Sequence, residues 1–301
     1  MANTRQVKRR IVTAKNISKI TKAMEMVAAS KMKRAQDQAL SARPYALELL
    51  KSLRHITKRV NPDLHPLLAH RSDGKRAVLI IGTDKGLCGS LNTHLLKQLL
   101  NFRREAGDLA VAVAVGKRAI LSCRTIGLPI LAQFTDLPEK ITMQDVLPIS
   151  SYLMQQFLTQ NLSKVEIIYM DFVNTLKQLP HREQLLPISS NLVSRAVIEK
   201  WAEGDKQAVA ETMKGATQYL FEPSPKAILD MLLPFYVENS IYHAFLEGKA
   251  SEHSARMVAM KNASENAGEL VDELLLVFNK SRQSAITSEL LDITTASLTL
   301  A

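Results

Sequence analysis

Proline and glycine are absent from the first 43 residues, and no aromatic side chain occurs before Tyr45. Nothing there breaks a helix, and nothing there stacks on nucleic-acid bases. Cysteine occurs only at Cys88 and Cys123, with no CxxC spacing, so no disulfide framework is expected and a reducing compartment is the default. The longest purely apolar run, residues 109–115, falls far short of the roughly 20 residues a transmembrane helix needs. The basic N-terminus has no apolar segment behind it, so it does not read as a secretory signal, and it continues directly into a patterned helix. Acidic residues are scarce at one end. Residues 1–60 hold 15 Lys or Arg against 3 Asp or Glu, a net of +12, while the remainder holds 24 against 26. This reads either as a solvated basic face or as a basic rod that meets an acidic partner or nucleic acid.

What is present is periodicity. Apolar or small residues step by threes and fours from Val7 through Ile11, Ala14, Ile17, Ile20, Met24 and Val27, then from Ala28 to Val60. This predicts one helix over residues 1–60, with Pro44 as an interruption and Asn61-Pro62 as its close. The middle differs. Runs at 77–82, 109–116, 129–134 and 165–173 read as buried strands, and 175–187 as an edge strand because of its prolines. Helical patterns lie between them at about 92–105, 117–126 and 142–162. Strands alternating with helices predict a central Rossmann-like α/β domain over residues 75–195. Ser224-Pro225 starts a second long helix, residues 224–301, with its own stripe at Met260, Ala263, Ala267, Leu270, Leu274, Val277, Ser281 and Ala285. Residues 199–212 read as a surface excursion. Neither helix can bury its stripe alone, so the fold expected is a long antiparallel coiled coil of the two terminal helices plus the α/β domain. Residues 17–27 are expected beside 260–277.

Chemistry is sparse. "GTDKGLCGSLN" (82–92) follows a strand and opens a helix, but its glycines at 82, 86 and 89 match neither phosphate-binding fingerprint. It reads as a structural turn. The seven histidines show no metal spacing, no serine sits in a GxSxG elbow, and no carboxylate pair stands out, so no catalytic group, cofactor or metal is expected.

Four stretches, "NISKITKAMEMVAASKM" (16–32), "GTDKGLCGSLN" (82–92), "ARMVAMKNASENAGEL" (255–270) and "NKSRQSAITSEL" (279–290), resemble the gamma subunit of bacterial F-type ATP synthase, in order along the whole chain. The chain departs at Ser90, where glycine is common, and around 199–217. It lacks the inserted cysteine pair of plastid members, so thiol regulation is not expected. The resemblance implies a non-catalytic central rotor shaft that couples proton- or sodium-driven ring rotation to conformational change in the alpha/beta ring. The implied partners are the alpha and beta subunits, the epsilon subunit and the membrane c-ring, at the cytoplasmic face of the bacterial inner membrane, with no nucleic acid and no small-molecule substrate. By position, it implies ring contacts at Lys22, Met24, Arg256, Arg282, Gln283 and Thr287. The apolar end, Ile293, Leu298 and Leu300, would turn in an uncharged bearing. Two other readings stand beside this one: a nucleic-acid-binding basic helix, and a nucleotide-dependent enzyme on the α/β domain.

Overall fold

The computed structural model describes residues 4–57, 65–71, 73–159, 161–188 and 224–299. Asn61-Pro62, the 199–212 segment and Leu300 lie outside the described residues, as does the structure of the family-variable stretch 199–217. In chain order the elements are α1 (Thr4–Thr57), β1 (Lys75–Ile81), α2 (Leu91–Ala106), β2 (Ala110–Val115), α3 (Lys117–Thr125), β3 (Ile130–Phe134), α4 (Met143–Leu158), β4 (Leu162–Phe172), β5 (Gln178–Leu186) and α5 (Pro225–Thr299). The chain divides into two compact units, Met1–Ala29 with Arg256–Ala301, and Ser30–Ala255.

The larger unit is built on a five-stranded sheet of order β3-β2-β1-β4-β5, in which β5, at one edge, runs antiparallel to its neighbour and the other pairs are parallel. The near-continuous apolar runs follow from burial on both faces. Val78, Ile80, Ala112, Ala114 and Ile168 point to α2 and α3, while Ala77, Leu79, Ile81, Val113 and Ile167 point to α4. The second face is also covered by α5, through Leu229, Leu233, Val237, Ile241 and Phe245, and by Leu49 and Leu53 of α1. Pro180 sits on the edge strand, where its missing N–H costs no ladder bond in the sheet centre.

Two sequence expectations shift here. The 142–162 helix is α4, which ends at Leu158, and β4 begins at Leu162. The Thr159 hydroxyl bonds back to the Gln155 carbonyl at 3.0 Å, and Leu162 already pairs with Lys75 of β1. Pro44 does not end α1, which continues to Thr57. The lost hydrogen bond is offset by Leu49 and Leu53, only 6% and 0% exposed in the core beyond it. The start of α5 is as expected, with Ser224 Oγ accepting from the Ala227 N–H at 3.2 Å.

Glu166 of β4 is a charged residue within an apolar strand. Its carboxylate, 5% exposed, accepts from Lys164 Nζ at 2.7 Å, Arg182 at 2.9 Å and Arg76 at 3.4 Å. Arg182 also forks onto both Glu105 oxygens, at 3.0 and 2.7 Å, and lies over the Phe102 ring. One buried carboxylate thus ties β1, β4 and β5 together, and Arg182 carries the network to α2.

In the smaller unit, α1 and α5 run antiparallel. Val7, Ile11 and Ala14 bury against Val271, with Leu274, Leu275 and Phe278 alongside. Further along α1, Ser18 meets Ser264, each hydroxyl reaching the other residue's carbonyl at 3.3 and 3.2 Å. Rising numbers on α1 therefore meet falling numbers on α5. Val7, Ile11 and Ala14 lie before the expected 17–27 window, so the register is displaced from the expected one even though Ser18 and Ser264 fall inside both windows.

Val7, Ile11, Ala14, Ala28, Met260 and Ala267 of the expected stripes are buried, while five other positions turn outward. Ile17, Ile20 and Val27 are 47%, 60% and 55% exposed, and on α5 Leu270 and Val277 are each 47% exposed. Ser18, Thr21, Val271 and Phe278 take the inward positions. Where Ser18 and Ser264 meet, each hydroxyl satisfies the other residue's carbonyl and lets the two axes approach, and the larger Ile17 and Ile20 turn outward there.

Candidate functional site

The 82–92 loop sits where doubly wound sheets hold ligands, at the carboxyl ends of β1 and β2. Its glycines serve contact between loops. Gly116 has φ 91°, and a Cβ there would stand 2.7 Å from the Gly82 carbonyl oxygen. A Cβ on Gly82 would stand 2.9 Å from the Ala119 Cβ. The polar side chains of the loop bind the fold itself. Thr83 Oγ1 lies 2.8 Å from the Lys85 carbonyl and 3.1 Å from Asn92 Oδ1, and Asp84 accepts from the Lys117 N–H at 3.1 Å. Asp84 therefore caps the start of α3. The crevice above the strands is filled from α5 by Phe245 and Gly248, which leaves a cavity of about 20 Å³, room for one water.

Cys123 is fully buried, and burial raises its thiol to about 12, which makes it inert as a nucleophile. Among the described residues no group of three or more His, Cys, Asp or Glu is placed to hold a metal.

The six ring-contact candidates lie on the smaller unit. Lys22 is exposed and pairs with Glu25 one turn on, at 3.0 Å. Met24 and Arg256 are partly buried, and Arg282, Gln283 and Thr287 are exposed. The Thr287 hydroxyl donates to the Gln283 carbonyl at 3.0 Å, so at rest it is spent on its own helix. Sequence reasoning missed the outward apolar residues of α1, Val12, Ile20 and Val27, which follow one another at steps of seven or eight on the face opposite the seam.

Among the described residues, α5 stands alone near its end. The Ser18–Ser264 register brings Thr4, where the described part of α1 starts, level with about Phe278. Beyond that level, residues 286–295 are all exposed, including Ile286, Leu290, Leu291 and Ile293 at 49–64%. A helix this apolar and this exposed is a surface for a partner. Ile293 belongs to it. The side chain of Leu298 and the whole of Leu300 lie outside what the structure describes.

Comparison with known proteins decides what carries these features. A sequence model of the ATP synthase family matches residues 3–300. The ATP synthase gamma chain of Dehalococcoides mccartyi strain BAV1 is 42% identical over the whole of both chains. The chain belongs to the ATP synthase gamma chain family. A second gamma chain, from Glaesserella parasuis, is 39% identical over 97% of this chain and 98% of that one. The fold recurs in a chain of the Euglena gracilis mitochondrial ATP synthase rotor, with TM-score 0.61 and 18% identity over 94% of this chain and 98% of that one. It recurs again in a chain of the Tetrahymena thermophila mitochondrial ATP synthase central stalk and c-ring structure, with TM-score 0.59, 23% identity, and coverage of 81% and 99%. The fold seen here is thus shared with chains of these two ATP synthase structures.

Proposed function

We propose that this chain is the central rotor shaft of an F-type ATP synthase and couples ring rotation to the catalytic sites of an alpha/beta ring without itself being catalytic. The observation that carries the reading is the α1–α5 pair, sealed by Val7, Ile11, Ala14 and Val271 yet carrying exposed apolar residues on its outer side, with α5, among the described residues, extending past α1 as an exposed apolar helix. Membership of the gamma chain family over residues 3–300 supports it.

In this reading three segments divide the work: a shaft helix over 1–60, an α/β domain over 75–195 and a second shaft helix over 224–301. Lys22, Met24, Arg256, Arg282, Gln283 and Thr287 touch the ring subunits, and Ile293, Leu298 and Leu300 turn in an apolar bearing. The α/β domain meets the epsilon subunit and the c-ring. The crevice filled by Phe245 and Gly248 argues against a nucleotide site on this domain. The chain is peripheral to the membrane, at its cytoplasmic face. Among the described residues no helix is long and apolar enough to cross a bilayer.

Weak contacts suit such a shaft. An exposed ion pair contributes about 0–1 kcal/mol, and each 1.4 kcal/mol is about a tenfold bias in population, so a strong fixed pair would hold the rotor in one orientation. The α1–α5 seam, with several apolar layers at about 1.5–3 kcal/mol each, stays closed meanwhile.

The test is reconstitution. The purified chain alone is expected to hydrolyse no ATP, and to co-purify with alpha and beta subunits as a complex that does. Turnover that follows the isolated chain through gel filtration, or failure to join the complex, would contradict the proposal.

A further inference from the structure

Within the larger unit, α1 has little large apolar surface to fix its position between residues 30 and 41. Apart from the partly buried Met32, its inward residues there are Lys31, Ala35, Gln36, Gln38 and Ala39, and the large buried side chains described beyond them are Leu49 and Leu53. Alanine faces bury area but do not interlock, and the hydrophobic effect is non-directional. Among the described residues, side-chain bonds from this stretch to other elements occur at two points. Gln38 uses both hydrogens of Nε2, one on the Ile141 carbonyl at 2.7 Å and one on the Tyr242 hydroxyl of α5 at 2.9 Å. Lys31 Nζ lies 2.8 Å from Glu139 Oε2, and the other oxygen of Glu139 lies 2.7 Å from Nε2 of His253 on α5, a side chain only 6% exposed.

Each bracket therefore joins the same three parts: α1, α5, and the 139–141 segment that links β3 to α4. Lys31 and Gln38 stand two helical turns apart on one face, so a slip of α1 by one turn, about 5.4 Å, breaks both brackets together. Burial pushes Glu139 up, but its hydrogen bond to Lys31 and the charges of His253 and Lys31 outweigh this and hold it below the usual carboxylate range, so it stays charged at neutral pH.

We infer that Gln38 and Glu139 are positioning residues that set the axial register of α1 against α5 and the α/β domain, an inference that rests on the rotor reading. Packing of α5, Leu49 and Leu53 holds the unit together, and the two brackets decide where along that packing α1 sits. A rotor whose α1 can slip loses torque between the α/β domain and the shaft, while Arg256, Arg282, Gln283 and Thr287 on α5 keep ring contacts that support ATP hydrolysis.

The test uses the full complex in ion-tight vesicles, with ATP hydrolysis and ATP-driven ion pumping measured together. The double variant Gln38→Ala with Glu139→Ala is expected to keep its hydrolysis rate within about twofold, while pumping per ATP falls about threefold, because two directional bonds bias the register by several-fold each. Glu139→Gln, which keeps an acceptor oxygen, is expected to retain most of the coupling. Should the double variant not assemble, Gln38→Leu alone decides by the same criterion. Unchanged pumping per ATP, or hydrolysis and pumping falling in proportion, overturns the inference.

A wild-type complex that hydrolyses without pumping would instead count against the rotor reading. The register can still be read on the folded full chain, with Cys88 and Cys123 both buried. Arg34 and Lys140 line one cleft of about 590 Å³. With Lys140→Cys paired in turn with Lys33→Cys, Arg34→Cys or Asp37→Cys, a short thiol cross-linker should favour one position in the native background and spread over all three in the double variant. The same pattern in both backgrounds overturns the inference.

Discussion

Aspartate at both Leu290 and Ile293 is expected to lower ATP hydrolysis by the reconstituted complex about tenfold or more while leaving the helicity of the isolated chain nearly unchanged. The asymmetry follows from where these residues stand. In the chain by itself they are 58% and 64% exposed, so the change costs little beyond helix propensity, a few tenths of a kcal/mol per residue. If the lone end of α5 turns in an apolar collar, each carboxylate must leave water without a partner. The effective penalty is then several kcal/mol per ion, and about 1.4 kcal/mol already corresponds to tenfold. Alanine at both positions removes area but adds no charge, and its complex is expected to stay within a few-fold of the native one. Hydrolysis rates and gel-filtration profiles of the three complexes, beside circular dichroism of the three isolated chains, make the comparison. An aspartate variant that assembles and turns over like the alanine control would show that this helix end does not sit in an apolar environment.

Replacing Glu166 by glutamine is expected to destabilise the isolated chain by about 3 kcal/mol at pH 7, near the lower end of what breaking a buried ion pair costs, because Arg182 keeps its fork on Glu105. For a unit of this size that corresponds to a fall in Tm of about 6–12 °C. The effect has a pH signature. Burial pushes the Glu166 carboxyl up, but hydrogen bonds from Lys164 and Arg182, and then their charges, outweigh this and hold it below the ordinary carboxylate range. A carboxyl that binds its proton less tightly folded than unfolded contributes fully above its unfolded value, and that contribution is lost as pH falls through its folded value. The stability gap between the native chain and the Glu166→Gln variant should therefore be widest at neutral pH and narrow below about pH 4. Urea unfolding of both chains from about pH 7 to about pH 3.5 measures it. A gap that widens in acid would mean that the carboxylate is not stabilised in the folded state.

The sheet was legible because runs such as "AVLIIG" and "LAVAVAVG" can be satisfied only by burial on both faces, and β1 and β2 lie where those runs do. The pairing of the terminal helices was legible from two unsatisfied stripes. Its detail around Ser18 was not, since a reading that counts apolar residues puts Ile17, Ile20 and Val27 inside. The seam instead takes Ser18 and Thr21, whose hydroxyls find backbone carbonyls across the pair or within α1. Pattern alone does not say when a small polar residue packs better than a large apolar one. The Glu166 network left one trace in the sequence, a carboxylate inside "KVEIIYM", but its partners Arg76 and Arg182 come from other strands. The brackets at Gln38 and Glu139 left none, because Gln38 and Lys31 find their partners 103 or more positions away. The glycines of the 82–92 loop owe their place to the approach of Gly116 to Gly82, a contact between two loops that spacing cannot reveal.

The central claim is that this chain turns. Leu176, at the tip of the β4–β5 turn and 83% exposed, offers a place for a probe. A complex carrying Leu176→Cys, fixed to a support through its alpha/beta ring and labelled at that cysteine with a bead or a polarised fluorophore, can be watched as ATP is added. The account predicts continuous rotation in one direction, in discrete steps whose rate follows ATP concentration and which stop when ATP is withdrawn. A labelled complex that hydrolyses ATP at the native rate while the probe stays fixed, or only fluctuates without direction, would contradict it.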